Sequence, residues 1–387
     1  MAADTHPPLA GHPLAEEAVE AFLAGIAAVE PAPLVRRAVR QGLLDDWLGD
    51  RERPTRIRVL AVGKAASRMV WGLVEAGVPF AGLGIAPHGT QAPGIDTFEW
   101  LPGEHPLPGA GSFAAGRRLL SWIDGLPADE PLLILLSGGS SACVESPAPG
   151  WDEARLLARW QELFVMGLPV EEMNRRRAET SALKGGKLAR LILAKTRRVR
   201  TWLLQDTDPA HPEAVGSAAF WDPDIPLHVL ASDKDLVAAA GLRLATLGWT
   251  VFRHGERIRG EAETEVQQFV AAGLALEGSR VALVGGGEPT VRLPAASPPG
   301  GRSQHAALAA SRVLAGSGAL FAAFASDGID GGTDAAGAWT LGRDWSPAAE
   351  RALATFTSHG FLAAAKRLVH AGPTGTNVND LWVLLRP

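Results

Sequence analysis

Four residues able to handle a phosphate or a hydroxyl proton stand just past apolar runs that read as β-strands. Lys64 follows Ile57-Arg58-Val59-Leu60-Ala61-Val62 and Gly63, and Asp206 follows Thr201-Trp202-Leu203-Leu204 and Gln205. Glu288 follows Val281-Ala282-Leu283-Val284 and three glycines, and Asp327 follows the run from Ala319 to Ala325 and Ser326. A lysine opening a helix opposes the helix dipole and so calls for an anion or a neighbouring carboxylate. The three carboxylates could hold Mg²⁺ or accept a hydroxyl proton. Arg302, after Gly300-Gly301 and ahead of an apparent helix, could meet a phosphate or carboxylate with two parallel hydrogen bonds. Plainer readings stand beside these: a surface lysine, a solvated loop arginine and carboxylates that merely cap helices.

Glycine-rich turns accompany these residues. Ser137-Gly138-Gly139-Ser140-Ser141 and Gly285-Gly286-Gly287 could line anion sites through backbone N–H groups, although any tight strand-to-helix turn asks for glycine as well. The sequence has no G-x-x-x-x-G-K-[ST] loop, and no G-x-G-x-x-G follows the first strand, so phosphate binding would use another design. The serine-glycine turn lacks the spacing of a hydrolase nucleophile elbow. His105 and His305 do not form a metal pair, and there is no Cys/His cluster for zinc.

The elements that must position these residues follow an α/β grammar. Apolar positions at helical spacing (Ala18, Phe22, Ile26, Val29, then Val35, Val39, Leu43) predict two helices over 14–49. Strand, tight turn and helix then recur, with strands expected at 57–62, 132–136 and 201–204. A second series follows a polar, acidic helix at 259–276, with strands expected at 281–284, 319–325 and 381–385. Alternating units of this kind imply an α/β fold of mostly parallel sheets with helices on both faces. At 387 residues, two domains are expected, an N-terminal one over 1–245 with leading helices and a C-terminal one over 246–387. Residues 294–301 read as a loop or lid.

Composition narrows the function classes. With 47% hydrophobic and 20% charged residues the chain is an ordinary globular one, and a net charge of −5 gives no nucleic-acid surface. The single cysteine, Cys143, excludes an intrachain disulfide. The N-terminus lacks a signal-peptide pattern, and no run of about 18 apolar residues suggests a membrane span, so a cytoplasmic location is expected.

Read in order, the segments resemble the glycerate 2-kinase family whose C-terminal part is called the MOFRL domain. The resemblance is carried by Val62-Gly63-Lys64-Ala65-Ala66, Gly103-Glu104-His105-Pro106-Leu107-Pro108, Leu136 through Ala142, and Asn174 through Gly186 with Asn174, Arg177, Ser181 and Lys184. It continues through Gly286-Gly287-Glu288-Pro289-Thr290-Val291 and Ser326-Asp327-Gly328-Ile329-Asp330-Gly331. It ends on Gly372 through Leu381, which includes Thr376 and Asn377. The resemblance implies two Rossmann-like domains with an interdomain cleft, and ATP and Mg²⁺ as cosubstrates. Phosphorylation of glycerate is implied at the 2-hydroxyl, giving 2-phosphoglycerate. Lys64 and Arg302 would then be the essential cations, and Asp206 and Glu288 the carboxylates near metal or substrate, with Asp327 a further catalytic candidate. Ser137, Gly138, Gly139, Ser140, Asn174, Arg177, Lys184, Gly286, Gly287, Thr376 and Asn377 would contact nucleotide or substrate. The expected partners are ATP and glycerate or a similar hydroxy acid, with a homodimer possible and neither nucleic acid nor membrane involved.

Departures from the family pattern keep other readings open. The family's Ser-Asp-Val is Gln205-Asp206-Thr207 here, and Gly-Gly-Arg-Asn-Gln-Glu becomes a run ending Gly301-Arg302-Ser303-Gln304-His305. Glu179 stands where a basic residue is common. A non-catalytic or altered-substrate homologue is one alternative. A hydroxypyruvate reductase is the other, opposed by the missing dinucleotide fingerprint.

Overall fold

The computed structural model describes residues 12–48, 56–166, 170–294 and 297–387. Residues 295 and 296 of the expected loop, and the first 11 residues read for targeting signals, lie outside the described residues. The chain folds into two compact units, one comprising 30–232 with 375–377, the other taking the remaining described residues.

The first unit is built on six parallel strands: β1 (Ile57–Val62), β2 (Phe80–Pro87), β3 (Phe98–Gly103), β4 (Leu132–Ser137), β5 (Val199–Leu204) and β6 (Leu227–Ala231). Their order is β3-β2-β1-β4-β5-β6, with every neighbouring pair parallel. The apolar runs noted in the sequence are the central strands, and they lack polar alternation because both faces are covered. Leu60 and Val62 of β1 and Ile134 and Leu136 of β4 face a core shared with Leu119 and Ile123 of the helix Ala110–Asp124 and Ile192 of the helix Lys187–Leu193. Val59, Ala61, Leu133 and Leu135 have the opposite parity and are also fully buried.

The second unit holds a seven-stranded sheet of β7 (Thr250–Arg253), β8 (Ile258–Glu261), β9 (Val281–Thr290), β10 (Leu320–Ala325), β11 (Gly337–Leu341), β12 (Leu368–Val369) and β13 (Asp380–Arg386). The order is β12-β11-β10-β13-β9-β7, with β8 also pairing β9. The α/β class is as expected, but this sheet is mixed. β7 and β8 run parallel to β9, whereas β13 is antiparallel to both β9 and β10, and β11 to β10 and β12. The physical reason is the connections. A parallel neighbour needs a crossover of about a dozen or more residues, usually a helix. The link from β10 to β11 carries no helix, so β11 returns antiparallel.

The units interleave in sequence. A single cut at 245 would give the helices Pro13–Ala28 and Asp233–Thr246 to the N-terminal part, whereas both pack within the second unit. Gly25 explains the fit, because a Cβ there would lie 2.8 Å from a Leu236 methyl carbon. Phe22 of the first of these helices stacks on Phe324 of β10, ring centroids 4.6 Å apart. On the opposite face Phe269, Phe321 and Trp382 make edge-on contacts. No single described helix is long and apolar enough to cross a membrane.

Candidate active site

In the first unit the strand order reverses between β1 and β4, and ligands of open α/β sheets collect beyond the carboxyl ends of the strands at such a point. Lys64 and the serine-glycine turn meet there. The Lys64 N–H donates to the Gly138 carbonyl at 2.8 Å, and the Ala65 N–H donates to Ser137 Oγ at 3.0 Å. Glycine is required on both sides. At Gly63, with φ of +118°, a Cβ would sit 2.5 Å from Ser137 O; at Gly138 it would sit 1.7 Å from Asp206 Oδ2. Gly139 takes φ of +80° and lies against the Lys64 side chain and the His105 ring, at 3.0 Å and 3.2 Å from the position of a Cβ.

Asp206 follows β5 and Gln205. Asn377, from the short 375–377 segment, donates Nδ2–H to Asp206 Oδ2 at 3.2 Å. The structure therefore gathers Lys64, Ser137, Gly138, Gly139, Asp206 and Asn377 within one unit. Glu104, which precedes His105, is anchored. Burial disfavours the charged form of Glu104, but hydrogen bonds from Ser112 and Gly111 hold its carboxyl below the usual range and tie it to the start of the helix Ala110–Asp124.

The remaining candidates of this unit stand further out. Ser140 is fully buried, and a Cβ on Gly216 would come within 2.9 Å of its Oγ. Asn174 Oδ1 accepts from Ser217 Oγ at 2.8 Å, and Ser217 Oγ lies 2.6 Å from Ser141 Oγ, so Asn174 supports the turn through a hydroxyl pair. Thr376 is buried beside Asn377. Arg177 packs over the Trp160 ring at 4.0 Å, and burial lowers its pKa to about 10 against the pull of Glu145. Lys184 is fully buried with Nζ donating to the Val144 carbonyl at 2.8 Å, and desolvation lowers its pKa. The structure thus gives Arg177 and Lys184 interior partners instead of open ones. Ser181 donates to the buried Glu145 carboxylate.

The second unit carries a different cluster. Arg302 opens the helix Arg302–Val313, and three of its guanidinium nitrogens meet carboxylates. Nε and Nη2 donate to Asp380 Oδ2 and Oδ1 at 2.7 and 3.0 Å, and Nη1 donates to Glu288 Oε1 at 2.8 Å. Burial alone would lower its pKa, but Asp380 and Glu288 hold it well above the ordinary value. Burial raises the Asp380 carboxyl, Arg302 opposes that, and Glu288 and Asp327 add repulsion. Asp330 is raised to about 7 by burial and by the charge of Asp380. Asp327 Oδ1 accepts from the Ile329 N–H at 3.2 Å.

Gly286 and Gly287 do not form the expected turn, because β9 runs on through Thr290. They are small because neighbours press on them. A Cβ at Gly287 would fall 2.0 Å from Ile258 O of β8, and one at Gly286 would fall 2.8 Å from a Val237 methyl carbon. Asp380 and Asp330 were not singled out from sequence, since nothing local ties either to Arg302.

Among the described residues, no three His, Cys, Asp or Glu side chains form a metal-binding group. Mg²⁺ carried by a nucleotide commonly uses one or two protein carboxylates with the phosphates, so a three-carboxylate cage is not the relevant test. Asp206, set against the Gly138 turn, fits that role. Glu288 has Oε1 engaged by Arg302.

A switch point with these features places the first unit among the ligand-binding doubly wound α/β proteins. Comparison with known proteins narrows this. The family described as "Domain of unknown function (DUF4147)" matches residues 17–228, more than half of the chain, and the MOFRL family matches residues 281–380. Glycerate 2-kinase from Pyrococcus horikoshii is 27% identical, aligned over 85% of this chain and 87% of its own. A protein named putative hydroxypyruvate reductase from Agrobacterium vitis is 30% identical, over 84% and 98%. The crystal structure of glycerate kinase from Thermotoga maritima superposes with a TM-score of 0.82 at 25% identity, covering 97% of this chain and 99% of that one. The chain belongs to the glycerate 2-kinase family.

Proposed function

We propose that this protein transfers the γ-phosphoryl group of ATP to the 2-hydroxyl of glycerate, giving ADP and 2-phosphoglycerate. The observation that carries this reading is the assembly of Lys64, the serine-glycine turn and Asp206 at the switch point of the parallel sheet, in a chain similar over nearly all its length to a glycerate kinase. Phosphoryl transfer leaves the protein little covalent work, so positioning and charge stabilisation dominate. The hydroxyl oxygen forms a bond to the γ-phosphorus, the bond to the ADP oxygen breaks, and the hydroxyl proton is released. Lys64 and Arg302 are the two cations on which turnover depends, Lys64 with its backbone fixed by Gly138 and Arg302 with its guanidinium fixed by Asp380. Mg²⁺ bound with the nucleotide would neutralise phosphate charge, and Asp206 is the carboxylate that would hold it. The turn from Ser137 to Ser140 offers backbone N–H groups to the glycerate carboxylate.

Phosphorus NMR of the product formed from Mg-ATP and D-glycerate checks this directly. A 2-phosphoglycerate resonance is expected. A 3-phosphoglycerate product would overturn the assigned position, and no phosphorylated glycerate would overturn the activity. One finding favours a second reading, the name carried by the Agrobacterium vitis relative. Oxidation of NADH or NADPH dependent on hydroxypyruvate would establish that reading. The stretch Val62-Gly63-Lys64-Ala65-Ala66 lacks the glycine spacing that a dinucleotide pyrophosphate uses after a first strand.

A further inference from the structure

Arg302 is held at two levels by acidic residues far away in sequence. At the level of the side chain, Asp380 grips Nε and Nη2 in a bidentate pair, the geometry that fixes a guanidinium plane as well as its position. Asp380 is 1% exposed and is the first residue of β13, where it pairs with Gly287 of β9 on one side and Ala325 of β10 on the other. A carboxylate on a strand pinned from both sides is a rigid support.

At the level of the backbone, the helix Arg302–Val313 lacks a capping side chain of its own. Its N-cap is Gly301, which has no side chain to accept from the N–H groups of the first turn. Unpaired N–H groups at a helix start need partners. Asp330 supplies them, accepting from the Ser303 N–H at 3.0 Å and the Gln304 N–H at 2.7 Å. Asp330 is itself 1% exposed, and a Cβ on Gly301 would lie 2.1 Å from its Cγ. Gly301 is thus glycine so that this distant carboxyl can reach the helix start. Gln304 returns the contact, donating Nε2–H to Asp330 O at 3.3 Å and to Thr333 Oγ1 at 2.8 Å.

We propose that Asp380 and Asp330 are positioning residues for Arg302, Asp380 setting the guanidinium plane and Asp330 setting the helix start from which the side chain projects. The proposal rests on the reading that Arg302 serves turnover. It also explains how a cation is kept at a helix N-terminus, where the dipole opposes it: each source of positive charge has its own buried carboxyl group. Burial and the charge of Asp380 raise the Asp330 pKa, in keeping with two acids packed close together.

Steady-state kinetics on the full chain test it, with Asp380→Asn, Asp330→Ala, Asp330→Asn and Arg302→Ala each checked for folding by circular dichroism and a thermal melt. Asp380→Asn is expected to lower kcat about a hundredfold, the effect associated with roughly 1 Å of misplacement. Asp330→Ala is expected to lower kcat about tenfold, and Asp330→Asn to recover most of that loss, because its amide oxygen still accepts one N–H. Added guanidinium ion should restore some turnover to Arg302→Ala but none to the double variant Arg302→Ala/Asp380→Asn. If Arg302→Ala loses turnover while folded Asp380→Asn and Asp330→Ala both stay within about twofold of wild type, positioning is wrong and the Arg302 reading stands. If Arg302→Ala turns over like wild type, the Arg302 reading fails and the proposal falls with it. Should Asp380→Asn not fold, the two Asp330 variants decide: equal losses in both would overturn the proposal, and recovery by Asn would support it.

Discussion

The two units arrange their candidate site residues by opposite means. In the first, backbone does the shaping: Gly63, Gly138 and Gly139 let the ends of β1 and β4 approach closely, and Lys64, Asp206 and Asn377 gather around that turn. In the second, side-chain charge does it: Arg302 is fixed by Asp380 and Glu288, and its helix by Asp330. A site made from glycine conformation is sensitive to single carbon atoms. One made from ion pairs is sensitive to charge and pH.

Among changes to the supports of the two sites, the largest expected effect breaks the backbone side of this contrast. In Gly138→Ala the added methyl overlaps Asp206 Oδ2, a side-chain atom that can swing aside, so the fold is expected to survive while Asp206 is displaced. Turnover should fall about a hundredfold or more with an unchanged circular dichroism spectrum. Wild-type turnover in this variant would show that the Asp206 position is unimportant.

A smaller effect is expected from the corresponding change in the second unit. Gly301→Ala forces its methyl into Asp330 and should cost about 1–3 kcal/mol of stability, as overpacking does, measured by denaturant titration. Asp330→Asn probes the charge side through pH. The folded Asp330 pKa is about 7, against an unfolded value of about 3.9. Between those values folding takes up a proton, so the contribution of Asp330 to stability declines as pH rises through that window and is level on either side. The stability of wild type relative to Asp330→Asn should therefore fall from pH 4 to pH 7, and an absence of slope would count against the buried carboxyl.

The smallest effect concerns Cys143. Its side chain is buried behind the serine-glycine turn, and desolvation raises its pKa to about 12, although Lys184 and Lys64 pull it down. The thiol should react with iodoacetamide only on unfolding, because the thiolate is the nucleophile. Rapid alkylation of the native protein would show that the interior behind the turn is open.

The same contrast governs how much was legible in the sequence. Apolar runs mark the centre of the first sheet and the core of the second: β1, β4, β5, β9, β10 and β13 are each legible as a continuous apolar segment. Edge strands such as β3 and β6, with exposed residues, and the short β7, β8 and β12 gave no comparable signal. Lys64 and Asp206 were readable because each stands beside the strand end that places it. The Arg302–Asp380 pair spans 78 positions, and no local pattern links its members. Local pattern assigns Gly286 and Gly287 to a turn, whereas the structure uses them for close packing of β8 and the helix Asp233–Thr246 against β9.

The most direct measurement is ADP release from Mg-ATP with and without D-glycerate, by wild type and by folded Lys64→Ala and Arg302→Ala. Glycerate-dependent release is expected for wild type, with a loss of roughly a thousandfold in each variant, the scale on which removing a cation acts in phosphoryl transfer. Release that does not depend on glycerate, or that persists at the wild-type rate in either variant, would contradict the reading that Lys64 and Arg302 serve glycerate phosphorylation.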